Sequence, residues 1–253
     1  MQERFVFDPM SLEIHSVAEE AALDDERVSA AFLRRQFQHA PDWQPEKTDE
    51  SLLHTNPEFK PAAVLLALVE RESGLQVLLT ERAAHLHHHP GQISFPGGRV
   101  DASDTSAEHT ALREAEEEIG LQAAQIELLG RMPLYYTGTG FAVTPVVALV
   151  RPPFELRSDP FEVASIFEVP LHFLMNPRHH QRRQVQLHQG QRTFYTMPYE
   201  RYFIWGATAG MLLSLHWTSF LPLPLWGNSN SDYELSLDTF CFAHRAIKAT
   251  ARG

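Results

Sequence analysis

Residues 91–121 read GQISFPGGRVDASDTSAEHTALREAEEEIGL, and the rest of the chain is organised around them. Ala107, Ala111, Leu112, Ala115 and Ile119 recur at helical spacing, so the second half of this stretch is an amphipathic helix. Ser103 or Ser106 is placed to cap its start, and Gly120 stands where it would stop. Glu114, Glu117 and Glu118 fall at i, i+3 and i+4 and project from one face. Carboxylates this close repel one another and raise each other's pKa unless a cation neutralises them. Clustered hard oxygens suit Mg2+ or Mn2+, ions that bridge to substrate phosphates. The plain alternative is a solvated acidic face. Two features favour a site: Phe95-Pro96-Gly97-Gly98 lets backbone come close to a ligand, and Arg113 can fix one carboxylate's orientation.

Outward from this stretch, the composition is that of an ordinary globular chain, 43% hydrophobic and 21% charged over 253 residues. A formal net charge of -11 disfavours nonspecific binding to nucleic acid or to an anionic membrane. The single Cys241 excludes an intrachain disulfide and fits a reducing compartment. The opening residues show no secretory signal and no apolar run is long enough to cross a membrane, so a cytoplasmic protein is expected.

Ala62 to Val69 is a continuous apolar run suited to a buried strand, with Leu75 to Thr80 as its hairpin partner. Ile126 to Met132 and Val143 to Val150 read as strands around a loop, Tyr135 to Phe141, that serves either as a substrate wall or as core filling. Gln184 to His188 and Thr193 to Met197 form a hairpin, and a helix is predicted from Ile204 to about Leu215. Upstream, Asp24 to Phe37 carries a helical pattern capped by Asp24 or Asp25, with Val28, Ala31, Phe32 and Phe37 apolar. The expected layout is an N-terminal helical extension and linker at 1–57, a main domain at 58–216 and a C-terminal extension at 217–253.

Gly98, Arg113-Glu114, Glu117-Glu118 and Gly120-Leu121 resemble the Nudix box, in which a glycine precedes R-E-hydrophobic-x-E-E-x-G-hydrophobic. Asp104 fills the box's earlier acidic position, and Arg113 comes one residue late. That insertion resembles the coenzyme A pyrophosphatase branch. So do Thr80, Arg82, Ala83, Gly91 and Phe95-Pro96-Gly97-Gly98 in register upstream, the run Phe167-Glu168-Val169-Pro170-Leu171, and Ile204-Trp205-Gly206-Ala207-Thr208-Ala209. The chain departs from the branch at His87, where an arginine is usual, and at Ser165, where an acidic residue is common.

The resemblance implies an α/β (α+β) Nudix fold, a mixed β-sheet sandwiched between helices. It implies a hydrolase that cleaves the diphosphate of coenzyme A or its derivatives to 3',5'-ADP and 4'-phosphopantetheine or its acyl form. Glu114, Glu117, Glu118 and the backbone of Gly98 would hold Mg2+ or Mn2+, with Arg113 orienting a carboxylate. Glu114 would act as base, with Glu162 as the second candidate. Arg82, His87, His89, Phe95 and Arg99 are the expected substrate contacts. The partner is a small molecule, with neither nucleic acid nor membrane, and a homodimer is left open. Two other functions compete: hydrolysis of another nucleoside diphosphate derivative such as ADP-ribose or NADH, and a catalytically inactive nucleotide-binding module. The intact R-E-x-x-E-E argues against the module, which needs no full ligand set.

Overall fold

The structure is a computed structural model that describes residues 8–18, 22–38, 59–86, 89–187 and 190–220. Two long apolar strands set the frame, β2 (Lys60–Arg71) and β8 (Phe141–Val150), which run parallel at the centre of a large sheet. The hairpin partner of β2 is β3 (Gly74–Arg82). Outside β3 lie β4 (Ile93–Ser94) and β9 (Val163–Pro170), while β5 (Gly97–Arg99) pairs with β2. On the other side β6 (Ile126–Arg131) and β7 (Tyr135–Tyr136) pair with β8. All of these pairings except β2–β8 are antiparallel, so the sheet is mixed.

Alternation along β2 divides the core in two. Ala63, Leu65, Ala67 and Val69 face the helix α2 (Ala107–Ile119) and pack on Ala111, Ala115 and Ile119. Ala62, Leu66 and Leu68 face the opposite way. They join a cluster that takes in Phe32, Leu33 and Phe37 of α1 (Ala30–Gln38), Leu171 and Leu174 of α3 (Leu171–Leu174), and Leu212 and Leu215 of α4 (Gly206–Phe220). The expected mixed sheet between helices is therefore what forms. A second, four-stranded sheet has the order β1 (Ile14–Val17), β10 (Gln181–Leu187), β11 (Gly190–Tyr199) and β12 (Tyr202–Trp205). No helix among the described residues is long and apolar enough to cross a membrane.

Two local expectations are corrected, and one open alternative is resolved. Ile204 and Trp205 belong to β12, paired with Met197 and Thr196, and the helix starts only at Gly206. Helix α1 is opened by Ser29, whose Oγ accepts from the amide of Phe32. Asp24 instead closes a preceding turn by accepting from Arg27. The Tyr135–Phe141 segment is core filling where it begins: Tyr135 is buried, and a Cβ at Gly210 would collide with its ring.

Candidate active site

The acidic helix is pinned at both ends by its own sequence. Ser106 caps α2 by accepting from the amide of His109, and Gly120, at φ 71°, ends it in the left-handed conformation that glycine adopts without strain. Just before it, Gly97 and Gly98 run as strand β5 between β2 and α2. A Cβ on Gly97 would strike the backbone of Ala63 and Val64. One on Gly98 would lie 2.5 Å from the carboxylate of Glu114. Glycine at both positions is what lets the helix carboxylates come down onto backbone.

Arg113 braces the acidic face. Its Nε and Nη2 donate to Oδ1 and Oδ2 of Asp104 at 3.0 and 2.9 Å, a two-pronged bond to a carboxylate with no exposed surface. Its Nη1 lies 2.8 Å from Glu114 Oε1 and 2.9 Å from Glu117 Oε2, and Nη2 also reaches the carbonyl of Arg99 at 3.3 Å. One guanidinium thus fixes two of the helix glutamates relative to the glycine turn. Bonding to Arg113 holds the Asp104 carboxyl well below the usual range.

Glu118 sits deeper, at 6% exposure, with Oε2 accepting from the amide of Gly97 at 3.1 Å. Burial pushes its carboxyl up to about 8; that amide and Arg82 oppose the rise, and the nearby Glu114 and Glu162 add to it. Burial also raises Glu114, against the pull of Arg113. Glu117 is 60% exposed at its side chain and closes the outer side of the group.

The segment from Arg157 to Val163 completes the site. The amides of Arg157 and Asp159 donate to the carbonyls of Ile119 and Glu118 at the end of α2, at 2.9 and 2.8 Å. Glu162 is held through its carbonyl, which accepts from the amide of Ala83 at 2.9 Å. Glu114, Glu117, Glu118, Asp159 and Glu162 together line a cleft of about 380 Å3. All five are carboxylates. Among the described residues no three Asp, Glu, His or Cys side chains form a ready-made cation cage: Glu118 is turned to the Gly97 amide, and Glu114 and Glu117 to Arg113. The donor set nonetheless suits a hard divalent cation, since buried, mutually repelling oxygens gain most from one.

The expected residues divide accordingly. Glu114, Glu117, Glu118, Arg113, Gly98 and Glu162 come together. Arg82 is close enough to act on Glu118, and its buried Nε has no hydrogen-bond partner among the described residues. Arg99 lies beside Arg113, joined to it through its carbonyl. His89 occupies an exposed turn at φ 56°, and His87 lies outside the described residues. Phe95 is a correction. At 2% exposure it belongs to the core, so its ring anchors the glycine turn and is not open to a ligand. Asp159 was not anticipated. It reaches the cleft through a backbone bond to a helix forty-odd residues earlier, and no local pattern announces that bond.

A family model described as NUDIX domain matches residues 59–189. An "Uncharacterized Nudix hydrolase NudL" of Enterobacter sp. (strain 638) is 41% identical over 62% of this chain and 81% of its own length. Its counterpart in Escherichia coli (strain K12) is 38% identical over 68% of this chain and 86% of its own. Among solved structures, a MutT protein from Methanosarcina mazei Go1 aligns with TM-score 0.38 at 23% identity, covering 47% of this chain and 83% of that one.

Proposed function

The chain belongs to the Nudix family, hydrolases of pyrophosphate bonds that generally need divalent metal ions, and from that premise we propose that it cleaves the diphosphate of coenzyme A or its derivatives. The products are 3',5'-ADP and 4'-phosphopantetheine or its acyl form. The observation that carries the chemistry is the cleft of five carboxylates beside an arginine-braced helix. Support for coenzyme A comes from Thr80, Arg82, Ala83, Gly91 and Phe95 to Gly98, and from Ile204 to Ala209, which match the coenzyme A branch in register.

Glu114, Glu117 and Glu118, with the backbone of Gly98, would hold Mg2+ or Mn2+. When bound, such ions neutralise diphosphate charge, orient the phosphates and acidify water. Arg113 keeps Glu114 and Glu117 in place, as a residue behind metal ligands does. Glu114 takes the proton of the attacking water. With its pKa raised by burial, it is a better base than a solvated glutamate. Glu162, across the cleft, is the second candidate for that proton. Water oxygen bonds to one phosphorus, the bond between that phosphorus and the bridging oxygen breaks, and the departing phosphate takes the bridging oxygen with its electron pair. Arg82, close enough to act on the Glu118 carboxyl, is the cation we assign to the phosphates.

The test is hydrolysis of coenzyme A, dephospho-coenzyme A, ADP-ribose and NADH with Mg2+ or Mn2+. Coenzyme A is expected to have the highest kcat/KM. Removal of the 3'-phosphate should lower kcat/KM about tenfold or more, the scale of a lost charged contact. Equal cleavage of dephospho-coenzyme A or ADP-ribose overturns coenzyme A as the substrate and leaves the family membership intact.

A further inference from the structure

The cleft is lined wholly by carboxylates, so it offers a substrate a place for cations and phosphates and none for an apolar or aromatic group. Whatever is attached to the diphosphate must rest outside it. In the chain between the cleft residues Asp159 and Glu162 stands Phe161, 74% exposed and the most exposed large apolar side chain among the described residues. A single exposed apolar side chain is ordinary; the way this one is held is not. The amide of Phe161 donates to Asp159 Oδ1 at 2.9 Å, and the amides of Glu162 and Val163 to the Asp159 carbonyl at 3.1 and 2.8 Å. Asp159 is itself bonded to α2, and Glu162 to Ala83 at the end of β3. The loop is thus tied down on both sides of the ring and presents it to solvent, which folding alone does not require.

We propose that Phe161 is the platform on which the planar base of the substrate stacks. The assignment rests on the cleft being a nucleoside diphosphate site. A flat ring carried on fixed backbone, one residue from a cleft carboxylate, suits a base, because every base has a face to stack and only two side-chain torsions settle on binding. The contact sets affinity for the nucleoside and takes no part in bond cleavage, so it acts on KM and leaves kcat unchanged.

Calorimetric titration of the full chain with ADP and with methyl diphosphate, both as analogues that carry a methylene group in place of the cleavable bridging oxygen and both with Mg2+, tests it without turnover. The wild type is expected to bind ADP about tenfold or more tightly than methyl diphosphate, the scale of one base stacked on one aromatic ring. Phe161→Ala and Phe161→Leu should abolish that preference and leave methyl diphosphate binding unchanged, while Phe161→Trp keeps it. Because the ring is exposed, the melting temperatures of the three variants should match the wild type. No preference for ADP in the wild type, or a preference that survives in Phe161→Ala, overturns the platform. Failure of the coenzyme A panel with an intact ADP preference overturns the substrate and not the platform; the reverse pattern does the opposite.

Discussion

Two clusters of charge lie on opposite faces of the same sheet. Behind it, Arg34 of α1 donates to both oxygens of Glu127 at 2.8 and 3.0 Å and reaches Glu70 at 3.1 Å, and Arg151 joins the same two glutamates. Two arginines meet two glutamates, and bonding to Arg34 lowers the pKa of Glu127. In front, five carboxylates line the cleft, with Arg113 the guanidinium bonded to them and Arg82 close by. There burial pushes the Glu118 carboxyl up to about 8. A balanced cluster stabilises a fold modestly. An unbalanced one is held in place by the fold at a cost that a bound cation removes. The difference teaches where to look for function: at the charges the protein leaves without compensation.

The largest effect should come from the cleft. Glu118→Gln or Glu117→Gln is expected to lower metal-dependent turnover about a thousandfold, roughly 4 kcal/mol, as several kcal/mol of charge stabilisation are lost. Turnover near the wild-type level at saturating Mg2+ would erase the distinction between the two clusters.

Next is the pH dependence of stability without metal. A carboxyl whose folded pKa is raised favours the folded state fully below its unfolded pKa, near 4.5, and loses that contribution as pH rises through about 8. Relative to Glu118→Gln, the wild type should therefore lose on the order of 4 kcal/mol between pH 4.5 and 8.5, measured by denaturant unfolding. Parallel curves would mean that Glu118 is not strained.

Arg113→Lys should lower kcat about ten- to a hundredfold while KM changes little, since a lysine cannot grip Asp104 with two prongs and still reach Glu114. The smallest effect belongs to the balanced cluster. Arg34→Met should cost about 1 kcal/mol in unfolding free energy and leave turnover unchanged. Loss of activity in that variant would show the two faces to be coupled.

Much of this arrangement was legible in the sequence. The ends of α2 were marked by Gly120 and by two candidate serines, of which Ser106 is the cap, and such chemistry acts within a few residues. The β2–β3 hairpin was marked by apolar runs that only a buried sheet accommodates. The same-face spacing of Glu114, Glu117 and Glu118 gave the acidic surface. What stayed hidden depends on contacts distant along the chain. Asp159 arrives through a backbone bond to Glu118. The depth of Glu118 follows from the approach of β5, and Phe95 looked like a ligand contact until the core closed over it. Local pattern puts Ile204 and Trp205 in a helix because pairing with β11 leaves no local mark.

The most direct measurement is the melting temperature at pH 7.5 with and without millimolar Mg2+ or Mn2+, for the wild type, Glu118→Gln and Arg34→Met. A cation that binds only the folded state must stabilise it. The predicted result is a clear rise in the wild type, an equal rise in Arg34→Met and none in Glu118→Gln. No rise in the wild type, or the same rise in Glu118→Gln, would contradict the assignment of the acidic cleft as the cation site.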